Sequence, residues 1–287
     1  MKACLTSFGA LALAAAIGFA APVSTAQAKD WTTVTIGLEG AYEPWNMSKP
    51  DGTLDGFEPE LAKDLCARAK LECKLISQDW DGMMAGLNAG KFDVIMDALS
   101  ITEERKKEID FSKPYARTAA GFAVLKSGPL ANLPSTGTIL ALDANGDSKD
   151  LEAALAPLRK ALTGKTIGIQ TATVYTAFVE KHFKDVATIR EYKTSPEHDL
   201  DLTAGRIDAA FDDATYFAAA FGKPDNADLA MSGASFGGLA WGEGEALGLR
   251  KADTDLKAKF DEAITAALAD GTIAKLSQKW FKTNVAP

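Results

Sequence analysis

Apolar segments of strand length alternate with amphipathic segments of helix length in the first third of the chain. Residues 33–38 alternate between polar and apolar side chains, and residues 73–77 and 92–96 form two further strand-like runs. Between the strands, a helix starting at Phe57 has Pro59 in its first turn and apolar residues at helical spacing, and residues 81–88 form a shorter helix. This order predicts a parallel sheet with helical crossovers.

The same alternation returns in the second half of the chain. It predicts strands at 165–170, 186–192 and 207–211, and helices at 174–183, 196–204 (capped by Ser195) and 214–221. Residues 241–249 alternate in part, and residues 254–282 predict a helical tail interrupted at Gly271. Residues 127–162 carry Gly, Pro, Ser and Asn followed by an alanine-rich stretch, which we interpret as a solvated surface insertion.

Two pairs of segments match each other between the halves. LNAGKFDVIMDALS (87–100) corresponds to LTAGRIDAAFDDAT (202–215), and TIGLEGAY (35–42) corresponds to TIGIQTAT (166–173). Two similar lobes explain this better than a chance likeness of turns that precede parallel strands. Ligands bind beyond the carboxyl ends of such strands, so four loops are candidates for one interlobe cleft: 39–45, 97–102, 170–173 and 212–215.

Arg105 is the candidate receptor for a carboxylate. It follows Thr102 by three residues, and Thr102 is expected to cap a short charged helix. A guanidinium beside hydroxyls and free amides binds a carboxylate through two parallel hydrogen bonds. The alternative is an ordinary solvated helix in which Arg105 pairs with Glu108 or Asp110.

The other candidate loops carry acids, amides and aromatic side chains. The first lobe supplies Glu39, Tyr42, Trp45, Trp80, Asp97, Ala98 and Ser100, and the second supplies Gln170, Thr171, Thr173, Asp212 and Asp213. Arg105 and Asp213 together would hold the head group of an α-amino acid, and Glu39 would hold a second positive charge. Two alternatives stay open, because aromatic residues are more often core residues and both aspartates could cap the helix at 214.

Composition and charge narrow the class of protein. The 287 residues are 47% hydrophobic and 24% charged, an ordinary globular composition. Residues 1–28 predict a secretory signal, with Lys2 at its start and a small-x-small site at 26–28, and no later stretch approaches the ~18 apolar residues of a membrane span. The formal charge of −8 becomes −9 without the signal, which argues against nucleic acid and anionic membranes as partners. We therefore expect a soluble protein outside the cytoplasm.

The cysteines and histidines indicate a disulfide and no metal or cofactor. Cys66 and Cys73, seven residues apart in an exported chain, are expected to pair. The two histidines, His182 and His198, are interpreted as lying in surface helices, with no cysteine or carboxylate at ligand spacing. No serine–histidine or cysteine–histidine arrangement is recognised, so an enzyme, which would recruit Glu39, Asp97 or Asp213 as its acid, is the less favoured hypothesis.

Six segments together resemble one protein family across the mature chain. They are EGAYEPWN (39–46), LDGFEPELAKDLC (54–66), FDVIMDALSITEER (92–105), FSKPYA (111–116), LTAGRIDAAFDD (202–213) and GLRKAD (248–253). The chain resembles the periplasmic solute-binding proteins of polar amino-acid ABC importers, specifically the lysine/arginine/ornithine and histidine binders and their octopine- and nopaline-binding relatives. The resemblance implies an α/β, type II two-lobe fold in which each lobe is a mostly parallel sheet flanked by helices. Lobe I would comprise 29–118 and 239–287, and lobe II 119–238.

The resemblance also implies roles for the candidate residues. Arg105 would take the ligand carboxylate, assisted by Ser100 and the Thr173 region, Asp213 the α-amino group and Glu39 the distal cation, while Tyr42 and Trp80 would sandwich the side chain. The implied ligand is arginine, ornithine or lysine, with opines of arginine next. The implied protein is a periplasmic monomer that needs no cofactor and serves an ABC permease, although a ligand sensor would have the same cleft.

The chain departs from the pattern of the family in two places, and a third place, Asp213, is informative about the ligand. Asp97 stands where relatives carry a small serine or alanine, and Val174 and Tyr175 replace smaller polar residues. Asp213 stands where opine binders tend to carry an amide, which favours a free α-ammonium over the substituted amine of an opine.

Overall fold

The computed structural model describes Met1 and residues 31–287, so the predicted signal falls outside the described residues apart from Met1. The first third of the described chain contains β1 (Thr33–Leu38), β2 (Ala41–Tyr42), β3 (Asn46–Ser48), β4 (Leu54–Asp55), α1 (Phe57–Ala69), β5 (Glu72–Ser77), α2 (Met83–Asn88), β6 (Val94–Ile95) and β7 (Asp110–Ala116). Single 3-10 turns occupy Trp80–Gly82 and Arg105–Lys107.

The middle of the chain forms a second set of elements. They are β8 (Ala120–Leu125), β9 (Ile139–Leu142), α3 (Leu151–Leu162), β10 (Thr166–Gln170), α4 (Val174–Phe183), β11 (Thr188–Tyr192), α5 (Ser195–Thr203), β12 (Ala209–Asp213), α6 (Ala214–Ala220) and β13 (Leu229–Gly238). The last part contains β14 (Glu245–Leu249), α7 (Thr254–Ala269) and α8 (Thr272–Trp280). Across these described residues, no helix is long and apolar enough to span a membrane.

Two mixed sheets form the centres of two lobes. Lobe I has the strand order β5-β1-β6-β14-β7, and lobe II has the order β11-β10-β12-β8-β13-β9. The strands β5-β1-β6 and β11-β10-β12 are parallel, whereas β14 and β8 run antiparallel to both of their neighbours. The sheets are therefore less uniformly parallel than predicted, because the strands next to the interlobe crossings enter them in the opposite direction.

The chain passes between the lobes twice. It leaves the sheet of lobe I after Ala116 and enters that of lobe II at Ala120, then returns between Gly238 and Glu245. The predicted lobe boundaries at 118 and 238 lie at these two crossings.

The internal repeat is visible in the register of the central strands. In lobe I, β1 pairs with β6 so that Ile36 lies beside Val94 and Gly37 beside Ile95. In lobe II, β10 pairs with β12 in the same way, with Ile167 beside Ala209 and Gly168 beside Ala210. At the start of each pair an aspartate accepts a threonine N–H, Asp93 from Thr35 at 3.0 Å and Asp208 from Thr166 at 2.9 Å. The two lobes thus share one construction, and their strand ends carry equivalent loops.

Residues 127–162 belong partly to the core of lobe II, which corrects the prediction of a solvated insertion. Strand β9 pairs with β13 at the edge of the sheet, and helix α3 buries Leu155, Leu158 and Leu162 completely. These leucines recur at the spacing of one helical face, so the alanine-rich stretch packs inward. The segment 143–145 that precedes it is exposed.

Two local predictions are confirmed, and the predicted start of one helix is wrong by one residue. Cys66 and Cys73 form a disulfide that joins α1 to β5, and the C-terminal tail is interrupted at Gly271, which has a φ of +76°. Helix α5 begins at Ser195 rather than after it, because Thr194 is the N-cap and forms a reciprocal capping box with Glu197.

Candidate functional site

A cavity of about 440 Å³, counted up to its mouth, lies between the lobes at the ends of the central strands. Lobe I lines it with Glu39, Tyr42, Trp80, Asp97, Ala98, Ser100, Arg105 and Glu245, and lobe II with Gln170, Thr173, Val174, Tyr175 and Asp213. The structure thus brings together all the residues that the sequence nominated for ligand binding except Trp45, Thr171 and Asp212.

Trp45 lies in the core of lobe I instead of the cavity wall. Its side chain is fully buried, and its ring centroid is 5.6 Å from that of Phe57 and 4.7 Å from that of Phe281. The indole N–H donates to the Thr215 hydroxyl of lobe II at 3.2 Å. Trp45 is therefore a core residue, in line with the general tendency of tryptophan to be buried.

Thr171 contributes its backbone to the site rather than its side chain. Its hydroxyl donates to the Glu191 carboxylate at the exposed rim of lobe II. Its carbonyl accepts the indole N–H of Trp80 at 3.1 Å, which is a contact between the lobes.

Arg105 is buried without a carboxylate partner. Its backbone N–H is capped by the Thr102 hydroxyl at 3.2 Å, as predicted, although the expected helix is a single 3-10 turn. Its guanidinium donates to the Ser100 carbonyl at 3.1 Å and to the Ala172 carbonyl of lobe II at 3.3 Å, and lies over the Trp80 ring at 5.4 Å. Among residues 31–287 it forms no ion pair, so the alternative of a solvated helix that pairs Arg105 with Glu108 or Asp110 is wrong.

The chemistry of this guanidinium is that of an anion receptor. Burial lowers the pKa of Arg105 to about 10, which still leaves it charged at neutral pH. A buried charge is costly unless it is paired, and a planar guanidinium matches a carboxylate with two hydrogen bonds. The Ser100 side chain lines the same wall and can add a hydroxyl.

Two of the residues that line the cavity, Glu39 and Asp97, are acids. Burial, followed by the charge of Asp212, raises the pKa of Glu39 to about 8, although Gln170 donates to it at 2.9 Å across the lobes. Burial and the charges of Glu39 and Glu58 raise the pKa of Asp97 well above its usual range. Oδ1 of Asp97 accepts the Glu39 N–H at 3.1 Å, but Oδ2 has no hydrogen-bond partner in the described part of the chain. A cation placed here would relieve both carboxylates.

Asp213 caps helix α6 and also lines the cavity, so its role as a cap does not remove it from the candidate site. Its Oδ1 accepts the backbone N–H groups of Thr215 at 2.7 Å and Tyr216 at 3.1 Å, and its Oδ2 accepts the Thr118 hydroxyl. Burial raises the pKa of Asp213, and its hydrogen bonds partly offset that effect. The carboxylate is therefore fixed in position before any ligand arrives.

Two further acids of the site were not predicted as such. Glu245 lines the cavity at the start of β14, outside the four repeated loops. Glu58, at the start of α1, accepts the Ala98 N–H at 2.7 Å and the Tyr115 hydroxyl. Ala98 has a φ of +43°, which costs a residue with a Cβ conformational energy, so the bond to Glu58 holds the loop before Ser100 in shape.

Tyr42 presents only part of its ring to the cavity. One face stacks on Tyr216 of lobe II, with centroids 4.9 Å apart and planes at 7°, and its hydroxyl donates to Asp212 at 2.7 Å. One face of Trp80 is likewise occupied by Arg105. Both rings line the cavity, as the predicted sandwich requires, but each already has a partner.

His198 is fully buried, which corrects its predicted place in a surface helix. Its Nε2 lies 3.1 Å from Asp212 and its Nδ1 lies 3.1 Å from Asp199. Burial alone lowers the pKa of His198, but the two aspartates outweigh that effect and raise it to about 9. The imidazolium therefore compensates the charge of Asp212 at neutral pH. His182 is also buried, with 7% of its surface exposed.

The lobes are closed against each other through direct contacts. Besides the five hydrogen bonds and the Tyr42–Tyr216 stack already described, two ion pairs join the rims, from Lys193 to Asp79 at 2.6 Å and from Lys223 to Glu43 at 2.8 Å. Closure encloses the cavity between side chains of both lobes.

Comparison with known proteins places this architecture in a family. The model of the bacterial extracellular solute-binding proteins, family 3, matches residues 34–283. The octopine-binding periplasmic protein of Rhizobium meliloti is 41% identical over 96% of this chain and 98% of its own length. The L-arginine-binding protein of Pseudomonas aeruginosa is 33% identical over 88% of this chain and 89% of its own.

A solved structure has the same fold. The periplasmic His/Glu/Gln/Arg/opine family-binding protein from Silicibacter pomeroyi, in complex with lysine, aligns with a TM-score of 0.70 at 29% identity, over 88% of this chain and 99% of that one. The predicted type II two-lobe fold is confirmed, and both relatives are named as binding proteins. The chain belongs to the bacterial extracellular solute-binding proteins, family 3.

Proposed function

We propose that this protein is the periplasmic substrate-binding component of an ABC importer for a basic amino acid (arginine, ornithine or lysine), with arginine-derived opines as the second ligand class. The observation that carries the proposal is the buried, unpaired guanidinium of Arg105 in a cavity that otherwise contains four carboxylates. The names of the octopine- and arginine-binding relatives support the same ligand chemistry.

The ligand would lie across both lobes. Its carboxylate binds Arg105, with the Ser100 and Thr173 hydroxyls beside it, and its α-ammonium binds Asp213. Its distal cation binds Glu39 next to Asp97. The rings of Tyr42 and Trp80 flank the side chain, with cation–π contacts of roughly 0.5–2 kcal/mol each.

The charge of the cavity favours a ligand with a net positive charge. Four acids (Glu39, Asp97, Asp213 and Glu245) line the cavity with one guanidinium, and all four have only hydrogen bonds to compensate their burial. A zwitterion without a second cation would leave Glu39 and Asp97 buried together with no counter-charge. Arginine, lysine and ornithine provide that second cation.

Transport would follow from closure. A ligand that contacts both lobes stabilises the closed form by its preferential contacts with it, and the closed form is the one that docks on the membrane permease. The protein acts as an exported monomer, and this cycle requires no covalent step, so we infer a binding protein rather than an enzyme.

Thermal stability of the purified protein tests the proposal. A ligand at about 100 times its dissociation constant stabilises the folded state by ~2.7 kcal/mol, which raises the melting temperature by roughly 5–10 °C for a domain of this size. We expect this shift with arginine, lysine or ornithine, and its loss in Glu39→Gln but not in the exposed control Glu72→Gln.

Two outcomes would contradict the proposal. If arginine, lysine, ornithine, histidine, octopine and nopaline all leave the melting temperature unchanged, the ligand class is wrong. If mass spectrometry shows that the purified protein converts one of these compounds, the protein is an enzyme on the same scaffold.

A further inference from the structure

Glu245 reaches the cavity because its backbone pairs with the loop that carries Ser100. Ser100 and Glu245 form an isolated antiparallel bridge. On either side of it, Ile101 N–H donates to the Gly244 carbonyl at 2.9 Å and Ala246 N–H donates to the Leu99 carbonyl at 3.0 Å. The position of the Glu245 side chain in the cavity wall is therefore fixed by two backbone hydrogen bonds.

Glu245 and Asp213 share one hydroxyl. Thr118, in the crossing between the lobes, donates to Asp213 Oδ2, and its Oγ1 lies 3.2 Å from Glu245 Oε1. One hydroxyl has one proton, so it cannot satisfy both carboxylates. Glu245 is only 5% exposed, and its Oε2 has no hydrogen-bond partner within residues 31–287. Burial, followed by the charge of Asp213, raises the pKa of Glu245 to about 8.

Asp213 is the less available of the two acids. Its Oδ1 already accepts two backbone N–H groups and the Thr215 hydroxyl, and its Oδ2 accepts Thr118. Glu245 Oε2 is thus the unoccupied acceptor at this end of the cavity. A ligand group with several N–H donors could bind it and Asp213 at the same time.

We propose that Glu245 binds the α-ammonium of the ligand together with Asp213, and that it makes the cleft select primary α-amino acids over opines. A primary ammonium has three N–H donors for these acceptors. The secondary ammonium of an opine has two, and its N-substituent carries a further carboxylate that would approach the two acids. The repulsion between like charges in a buried site opposes that ligand. The inference rests on the proposed function, which it narrows to one of the two ligand classes.

The test is isothermal titration calorimetry of L-arginine and octopine with wild type, Glu245→Gln and Glu243→Gln. Glu243 is an exposed acid two residues away, so its variant controls for the loss of one charge. We expect wild type to bind arginine at least tenfold more tightly than octopine. Because a hydrogen bond to a charged group is lost, Glu245→Gln should bind arginine about tenfold more weakly and shift the arginine-to-octopine ratio by at least as much. Glu243→Gln should stay within twofold of wild type.

The outcomes distinguish a failure of the proposed role of Glu245 from a failure of the proposed function. If wild type binds arginine and Glu245→Gln matches it within twofold for both ligands, the role of Glu245 is refuted while the basic amino-acid function stands. If wild type binds neither ligand, nor lysine or ornithine, the proposed function fails and this inference fails with it. Should Glu245→Gln not fold, the wild-type preference decides alone, since tighter binding of octopine than of arginine overturns the selection.

Discussion

Tyr42→Phe is predicted to weaken ligand binding by opening the closed cleft. The substitution removes the hydroxyl that donates to Asp212 Oδ1 across the lobes at 2.7 Å. It retains the ring and its stacking on Tyr216, so the packing of the cleft is preserved. Asp212 Oδ1 still accepts the Asp213 N–H at 2.7 Å, so the variant leaves no buried oxygen without a donor.

The magnitude follows from the difference between the two forms. In the closed form the phenol donates to a carboxylate, a hydrogen bond to a charged group worth roughly 1.5–3 kcal/mol, whereas in an open form it would donate to water. If the ligand binds only the closed form, its apparent dissociation constant rises by the factor by which that form is depopulated. We therefore expect binding of arginine to weaken by about 10- to 100-fold.

Calorimetric titration of arginine into wild type and Tyr42→Phe measures this effect, with Tyr192→Phe as the matched control. Tyr192 donates to Asp201 at 2.6 Å in the same kind of bond, but both residues belong to lobe II. The control should lower the melting temperature without changing the affinity by more than about twofold. Equal affinity of wild type and Tyr42→Phe would refute the argument that this bond stabilises closure.

Two further predictions concern stability. The folded pKa of His198, about 9, lies above its unfolded value of about 6.5, so its stabilisation is complete below pH 6.5 and is lost as the pH rises through 9. Thermal melts of the ligand-free protein between pH 6.5 and 9.5 should show a falling melting temperature, and a constant or rising one would contradict the charged state of His198. Replacing both cysteines, with Cys66→Ser and Cys73→Ser together, should lower the free energy of unfolding in urea by about 2–3 kcal/mol. The affinity for arginine should stay within twofold of wild type, and a large loss of affinity would contradict the position of the disulfide outside the cleft.

The sequence was sufficient to locate the cleft because local features determine it. Each strand and the turn that follows it can be recognised from a few neighbouring residues, and the internal repeat identifies the same turns twice. Arg105 could be placed at the cleft because its cap, Thr102, is three residues away. Where a role depends on neighbours within one loop, sequence patterns predict it.

Roles that depend on long-range partners were not predictable. Glu245 enters the site through a bridge to Ser100, 145 residues away, and no pattern near β14 indicates that contact. The interpretation of His198 as a surface residue was wrong because its partner Asp212 belongs to the next strand. Trp45 and Tyr42 show the same limit within one loop, since their surroundings in the fold make one a core residue and the other a wall of the cavity.

Two acids at equivalent positions of the internal repeat have different surroundings. Asp97 and Asp212 are equivalent in the matched segments, at the ends of the central strands of the two lobes. Asp212 has Tyr42, Ser195 and the His198 imidazolium around it.

The equivalent position to His198 in lobe I is the buried Met83, which offers Asp97 neither a proton nor a charge. Asp97 keeps one oxygen without a hydrogen-bond partner among the described residues, while its other oxygen accepts the Glu39 N–H and the Asn46 side-chain amide N–H. A buried carboxylate that lacks its own cation is the acid that benefits most from one brought by a ligand. In the proposed binding mode, this difference between Met83 and His198 favours placing the cationic end of the ligand beside lobe I.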